Sequence, residues 1–239
     1  MSKNIRSATP GILSVGAVAL GIAVTGFTLN TSVLAQDSEM TFFITSAGPG
    51  KGGDLGGLEG ADAHCVSLAE AAGSELSNWK AYLSVPAMID RSGDSPKVIP
   101  GVDARDRIGA GPWHNAKGEL IANSVDELHS DANPINLATG LDESGNAVNG
   151  RGAKPNRHDI LTGSTPTGQY STAGGDTSCA GWTSSGDGSA IVGHHDRVGL
   201  SKDRHMVSWN SAHGSRGCGA DDLPKSGGDG LFYCFYAGG

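Results

Sequence analysis

All four cysteines of this 239-residue chain, Cys65, Cys179, Cys218 and Cys234, lie downstream of a long uncharged stretch near its N-terminus. Residues 1–10 carry Lys3 and Arg6 and no acid, and residues 11–34 carry no charge at all. Val33 and Ala35 stand at the −3 and −1 positions of a cleavage site before Gln36. This pattern predicts a secretory signal peptide over residues 1–35. A rival reading is an uncleaved anchor, since residues 12–29 are nearly long enough to span a bilayer; the cleavage pattern favours removal. No Cys follows the apolar run, which argues against a lipoprotein, and no later stretch is apolar enough to cross a membrane. Export determines how the thiols are read. An even number in an oxidising compartment predicts two disulfides, with three pairings open on spacing alone. No C-x-x-C occurs, so a zinc ribbon or redox motif is not expected.

The rest of the composition narrows the fold class. The chain holds 38 glycines, about twice the usual share of roughly 7%. Aromatic residues make up 5% and apolar residues 37%. A core is possible, but it must be built from short strands joined by many turns. Net charge is −8, and loss of Lys3 and Arg6 with the leader would take it to −10. Such a chain is a poor non-specific partner for nucleic acid, because phosphate contacts need excess Lys and Arg.

Residues 36–40 read as a short tail. Thr41-Phe42-Phe43-Ile44-Thr45 is β-branched and aromatic, a strand signal. Gly48-Pro49-Gly50-Lys51-Gly52-Gly53 spells G-x-G-x-x-G, but without the βαβ unit of a dinucleotide fold it reads as a loop. Ala61, Cys65, Leu68, Ala69 and Ala72 recur at three- and four-residue steps and predict a helix over residues 61–72, stopped by Gly73. Residues 79–85 alternate as a strand, and residues 86–101 read as a polar loop. Ser124-Val125-Asp126-Glu127 is a capping-box signature for a second short helix, residues 125–129. Residues 131–155 form another Gly/Asn-rich loop. Further strands are expected at residues 160–162 and 231–236, and turn residues dominate residues 163–229. No repeat and no linker divides the chain. The expectation is one α+β domain over residues 41–239, with short strands, two short helices and long loops.

The order of several segments is similar to that of the C-type lectin-like fold, and more closely of its endostatin-like branch. The segments are Gly57-Leu58-Glu59-Gly60-Ala61-Asp62-Ala63-His64-Cys65, Trp79-Lys80-Ala81-Tyr82-Leu83-Ser84 and Ala104-Arg105-Asp106-Arg107-Ile108. They continue with Asn123-Ser124-Val125-Asp126-Glu127-Leu128, Arg157-His158-Asp159-Ile160-Leu161-Thr162-Gly163-Ser164, Thr177-Ser178-Cys179-Ala180-Gly181-Trp182 and Leu231-Phe232-Tyr233-Cys234. The chain resembles the bacterial secreted members of that group. The resemblance implies nested bridges, Cys65–Cys234 and Cys179–Cys218. By chain entropy the outer one would be worth roughly 5 kcal/mol.

Calcium-dependent members present an E-P-N or Q-P-D loop and a W-N-D segment whose oxygens bind Ca²⁺ and sugar together. Here Trp209-Asn210-Ser211 lacks the carboxylate and Thr165-Pro166-Thr167 carries no acid, which leaves Asp176 as the remaining hard ligand. No cofactor is therefore expected, calcium being the one ion the pattern leaves room for. Trp209 reads first as core packing and second as a stacking surface for ligand.

Four histidines, His194, His195, His205 and His213, gather in the late loops with Arg197, Arg204 and Arg216. With Asp196 or Asp203 they could hold Zn²⁺. Yet His194 and His195 are adjacent, so a strand would turn them to opposite faces, and no H-x-x-x-H or H-E-x-x-H spacing occurs. A polar, partly basic rim suited to an anionic ligand is the plainer reading. No G-x-S-x-G elbow is present, and Ser77-Asn78-Trp79-Lys80 spells S-x-x-K in what reads as a strand. Some enzymes of the wider fold use reactive cysteines, but paired cysteines leave none over, so no catalytic residue is assigned. The expectation is an exported, non-catalytic module that recognises a carbohydrate or an extracellular protein through loops 163–229. Asp176, His194, Arg197, Arg204, His205, Trp209 and Asn210 would face the ligand. No nucleic acid or membrane partner is expected after signal cleavage, and the sequence sets no oligomeric state. The alternative is an exported enzyme or metal-binding protein that uses the His-rich loops.

Overall fold

The computed structural model describes residues 39–238. The expected leader and most of the expected tail lie outside the described residues. No helix among the described residues is long and apolar enough to cross a membrane.

The organising element is the last strand. Residues Leu231 to Phe235 are fully buried although they alternate faces, so both sides of this strand must be covered. In chain order the strands are β1 (Phe42–Ile44), β2 (Trp79–Ala81), β3 (Met88–Asp90), β4 (Lys97–Ile99), β5 (Trp113–His114), β6 (Leu120–Ala122), β7 (Asp159–Leu161), β8 (Ile191–His194), β9 (His213–Gly214) and β10 (Gly228–Tyr236). The C-terminal half of β10 runs antiparallel between β1 and β2, and its N-terminal half pairs in parallel with β7. The sheet then continues antiparallel through β8 to β9.

The period of two sorts the side chains into two cores. Phe43, Trp79, Ala81, Leu161, Phe232 and Cys234 join one, closed by helix α1 (Gly57–Ala71) through Ala61, Cys65 and Ala69. Phe42, Ile44, Ile160, Leu231, Tyr233 and Phe235 join the other, covered by Ala104, Ile108, Trp113, Ile121, Leu128 and Ile135. The Cys65–Cys234 bridge ties α1 to β10, and Cys179–Cys218 is the second bridge, the nested pairing that the resemblance implies.

The domain is α+β with two disulfides, but several local expectations need correction. Among the described residues three further α-helical segments follow α1, making four where two were expected: α2 (Ala104–Arg107), α3 (Val125–Leu128) and α4 (Cys179–Trp182). Helix α1 starts a turn earlier than the periodicity suggests, because Gly56 and Gly57 take left-handed backbone that leads the chain in without a side-chain cap. The segment at residues 79–85 is regular strand only to Ala81, and Tyr82 and Ser84 are buried as well as Trp79, Ala81 and Leu83. Residues 86–101 are not all loop, since β3 and β4 pair as an exposed hairpin. A second hairpin, β5 with β6, was not legible in the pattern. α4 is a left-handed turn, with Cys179, Ala180, Gly181 and Trp182 all at positive φ. The Cys179–Cys218 bridge and the Trp182 indole, which donates to the Ser84 carbonyl at 3.0 Å, hold it in place.

Candidate functional site

The seven residues expected to face ligand fall into three places. Arg197, Arg204, His205, Trp209 and Asn210 meet in one cleft of about 300 Å³, joined by His129 and Asp131. His194 lies elsewhere, on a second pocket. Asp176 is in neither: its carboxylate accepts from Ser178 N–H at 2.9 Å, Ser178 Oγ at 3.0 Å and Ala180 N–H at 2.5 Å, and so stabilises the left-handed turn of α4. In the structure the Asp176 carboxylate caps this turn.

The cleft floor is a polar network set into aromatic packing. The Tyr82 hydroxyl donates to His129 Nε2 at 2.6 Å and accepts from Asn210 Nδ2 at 2.9 Å. His129 Nδ1 donates to the Val125 carbonyl at 2.7 Å, which fixes its tautomer. Burial is the main reason the His129 pKa lies below its ordinary value and the Tyr82 pKa above its own. Asn210 also donates to the carbonyls of Thr165 and Pro166, both at 3.2 Å, and its Oδ1 accepts from Ser208 Oγ at 3.0 Å. Trp209 is 3% exposed and packs at 4.9 Å from the Tyr82 ring and 5.1 Å from Tyr233. Both residues frame the cleft from below rather than reach into it. The 209–210 segment can cross β8 because Gly193 has no side chain; a Cβ there would collide with the Trp209 carbonyl.

Arg197 is a strut as well as a wall. At φ 56° it turns its guanidinium inward, donating to the Ile135 carbonyl at 2.8 Å and to Asn133 O and Oδ1 at 3.1 Å. Arg204 and His205 are the exposed cationic or basic members; Arg204 stands loosely against Asp131 at 3.5 Å.

The second pocket, about 420 Å³, has His158, His194 and His213 on its wall beside Arg151, Arg216 and Lys225. His194 and His195 do point apart: His194 faces this pocket, whereas His195 Nε2 lies 3.4 Å from the Asn149 carbonyl oxygen. Burial holds the His195 pKa down at about 4. Behind His158 lies Asp196. Burial works against its charge, but hydrogen bonds from His158 and from the N–H groups of Arg151 and Val198 outweigh that and hold its carboxyl at about 2. His158, Asp159 and His194 bring ligand-type atoms within 4.8 Å of one another. His158 and Asp159 were not among the expected site residues. They sit at the start of β7, where no ligand spacing in the sequence marks them.

Neither a scan against protein-family models nor a search of curated proteins returns a match to this chain.

Proposed function

We propose that this protein is an exported, non-catalytic binding module of the C-type-lectin-like, endostatin-like kind, and that it recognises an anionic extracellular ligand through loops 163–229. The observation that carries this reading is the convergence of Arg197, Arg204 and His205 on one cleft over an ordered Tyr82–His129–Asn210 floor. Guanidinium and imidazole donors on an otherwise acidic chain favour carboxylate or sulfate groups, as borne by acidic glycans or an acidic protein segment. Loops on a braced scaffold are where recognition is commonly carried. No free cysteine remains in the chain, which leaves thiol catalysis without a nucleophile.

A glycan array probed with and without EDTA tests the reading. Binding to sulfated or uronic-acid glycans is expected, reduced roughly tenfold or more in the double variant Arg204→Glu, His205→Glu. Arg197 is left intact because it holds the 133–135 segment. Absence of anionic-glycan and acidic-peptide binding, or equal binding by the variant, rejects the proposal. Binding lost in EDTA and restored by calcium would favour a calcium-type lectin site instead. The His-rich loops also support the metal-binding alternative, carried by the cluster around Asp159.

A further inference from the structure

Asp159 is the most anomalous group in the fold. Its carboxylate is completely buried, and neither oxygen makes a hydrogen bond. A buried, unpaired carboxylate is costly, and a native fold retains one only where a compensating charge is supplied. Three imidazoles surround it. His158 Nε2 is 3.2 Å from Asp159 Oδ1, His194 Nε2 is 3.3 Å and His213 Nε2 is 3.7 Å, while the Nε2 atoms of His194 and His213 are 3.0 Å apart.

The tautomers follow from the other ring nitrogens. His194 Nδ1 faces the Met206 carbonyl at 2.7 Å and His213 Nδ1 the Gly214 carbonyl at 3.1 Å. A carbonyl only accepts, so both Nδ1 atoms carry the proton. His158 Nδ1 stands 3.3 Å from the Asp196 carboxylate, which likewise accepts. In the neutral rings all three Nε2 atoms therefore present lone pairs toward the Asp159 carboxylate oxygen, and those of His194 and His213 toward each other as well. Four electron-rich atoms at this spacing repel unless a cation lies between them. These four separations, 3.0 to 3.7 Å, lie near the edge of a tetrahedron, about 3.4 Å, that follows from zinc–ligand bonds near 2.1 Å; His158, Asp159 and His194 already converge within 4.8 Å, while His213 stands against His194 and Asp159 and must swing toward His158 to complete the set.

We propose that His158, Asp159, His194 and His213 form a zinc site. Three imidazoles and one carboxylate suit Zn²⁺, whereas Ca²⁺ and Mg²⁺ want six or more oxygens. Each histidine already has the outer partner that metal-bound imidazoles need: Asp196, Met206 O and Gly214 O. The ring of His213 is the partly exposed one, 29% against 5% for His158 and 2% for His194, so the metal enters from the pocket on that side. With four protein ligands the centre is structural. It pins β7, β8 and β9 to one another toward the β9 edge of the sheet. This proposal stands whether or not the cleft binds a glycan.

The test uses the exported chain with its disulfides oxidised, stripped of metal by chelator and dialysed, then titrated with Zn²⁺ by calorimetry. One equivalent is expected, and Co²⁺ in its place should give the intense visible bands of tetrahedral coordination. His213→Ala, at the exposed edge, should weaken binding at least roughly tenfold, and His114→Ala, on β5 and away from both pockets, should leave it unchanged. Asp159→Asn should likewise weaken zinc binding, since it replaces the one carboxylate of the set. The proposal is overturned if the native chain binds no zinc, if His213→Ala binds it as well as the native chain does, or if the cobalt bands are weak and octahedral.

Discussion

His129 shows how a single side chain is committed by its surroundings. Its Nδ1 proton is held by Val125 and its Nε2 lone pair by Tyr82, so the neutral ring fits and the cation does not. Burial, the largest cause, lowers its folded pKa below the unfolded value of about 6.5. Above that pH the ring is neutral in both states and the stabilisation is complete. As pH falls, the unfolded chain takes up a proton that the folded one refuses, and stability is lost down to the folded pKa. Urea denaturation of native and His129→Gln protein across this window should show a shallower pH dependence in the variant; parallel curves would contradict the assignment. Little of this was legible in the sequence. Trp209 and Asn210 could be singled out by spelling, but spelling does not tell a ligand contact from a floor. Tyr82, their shared partner, comes from the segment just after β2, 128 residues from Asn210 along the chain.

Elements were legible where one local signal decides them. Helix α1 has a three- and four-residue apolar period and ends at Ala71, with Gly73 at φ 90° just past its C-cap. In α3, Ser124 Oγ accepts from Glu127 N–H at 3.2 Å as the capping signature predicts, although Glu127 turns back to Asn123 N–H, not to Ser124. Because α3 carries His129 at its C-cap, the cap also positions the cleft floor. Ser124→Ala should cost about 1 kcal/mol in chemical denaturation, with Ser124→Asp restoring most of it; no difference would mean that tertiary packing alone holds this turn. Elements were missed where the signal is not local. β5 is two residues long and exists only because β6 pairs with it. The left-handed α4 depends on Asp176, a disulfide and Trp182 acting together against its steric cost.

For the whole molecule, the nested bridges constrain very different lengths of chain. Cys65–Cys234 closes 169 residues and Cys179–Cys218 closes 39. By chain entropy their loss should cost roughly 5 and 4 kcal/mol. The paired variants Cys65→Ala with Cys234→Ala and Cys179→Ala with Cys218→Ala, compared by equilibrium denaturation, check this. The outer pair is expected to cost at least as much, since it also joins α1 to the strand that both cores share; the reverse order would show that the loop region, not the core, limits stability.

The sequence by itself determined the oxidised framework, the α+β class, the principal helix and the apolar strand at the centre. These rest on Cys parity and on side-chain periods, which act over a few residues and can be read in one dimension. Only the tertiary structure decided which of eight histidines matter. His158, His194 and His213 come from three different strand ends, and no spacing links them. They meet because strand pairing places β7, β8 and β9 side by side, and a convergence made by pairing leaves no trace in the order of residues along the chain.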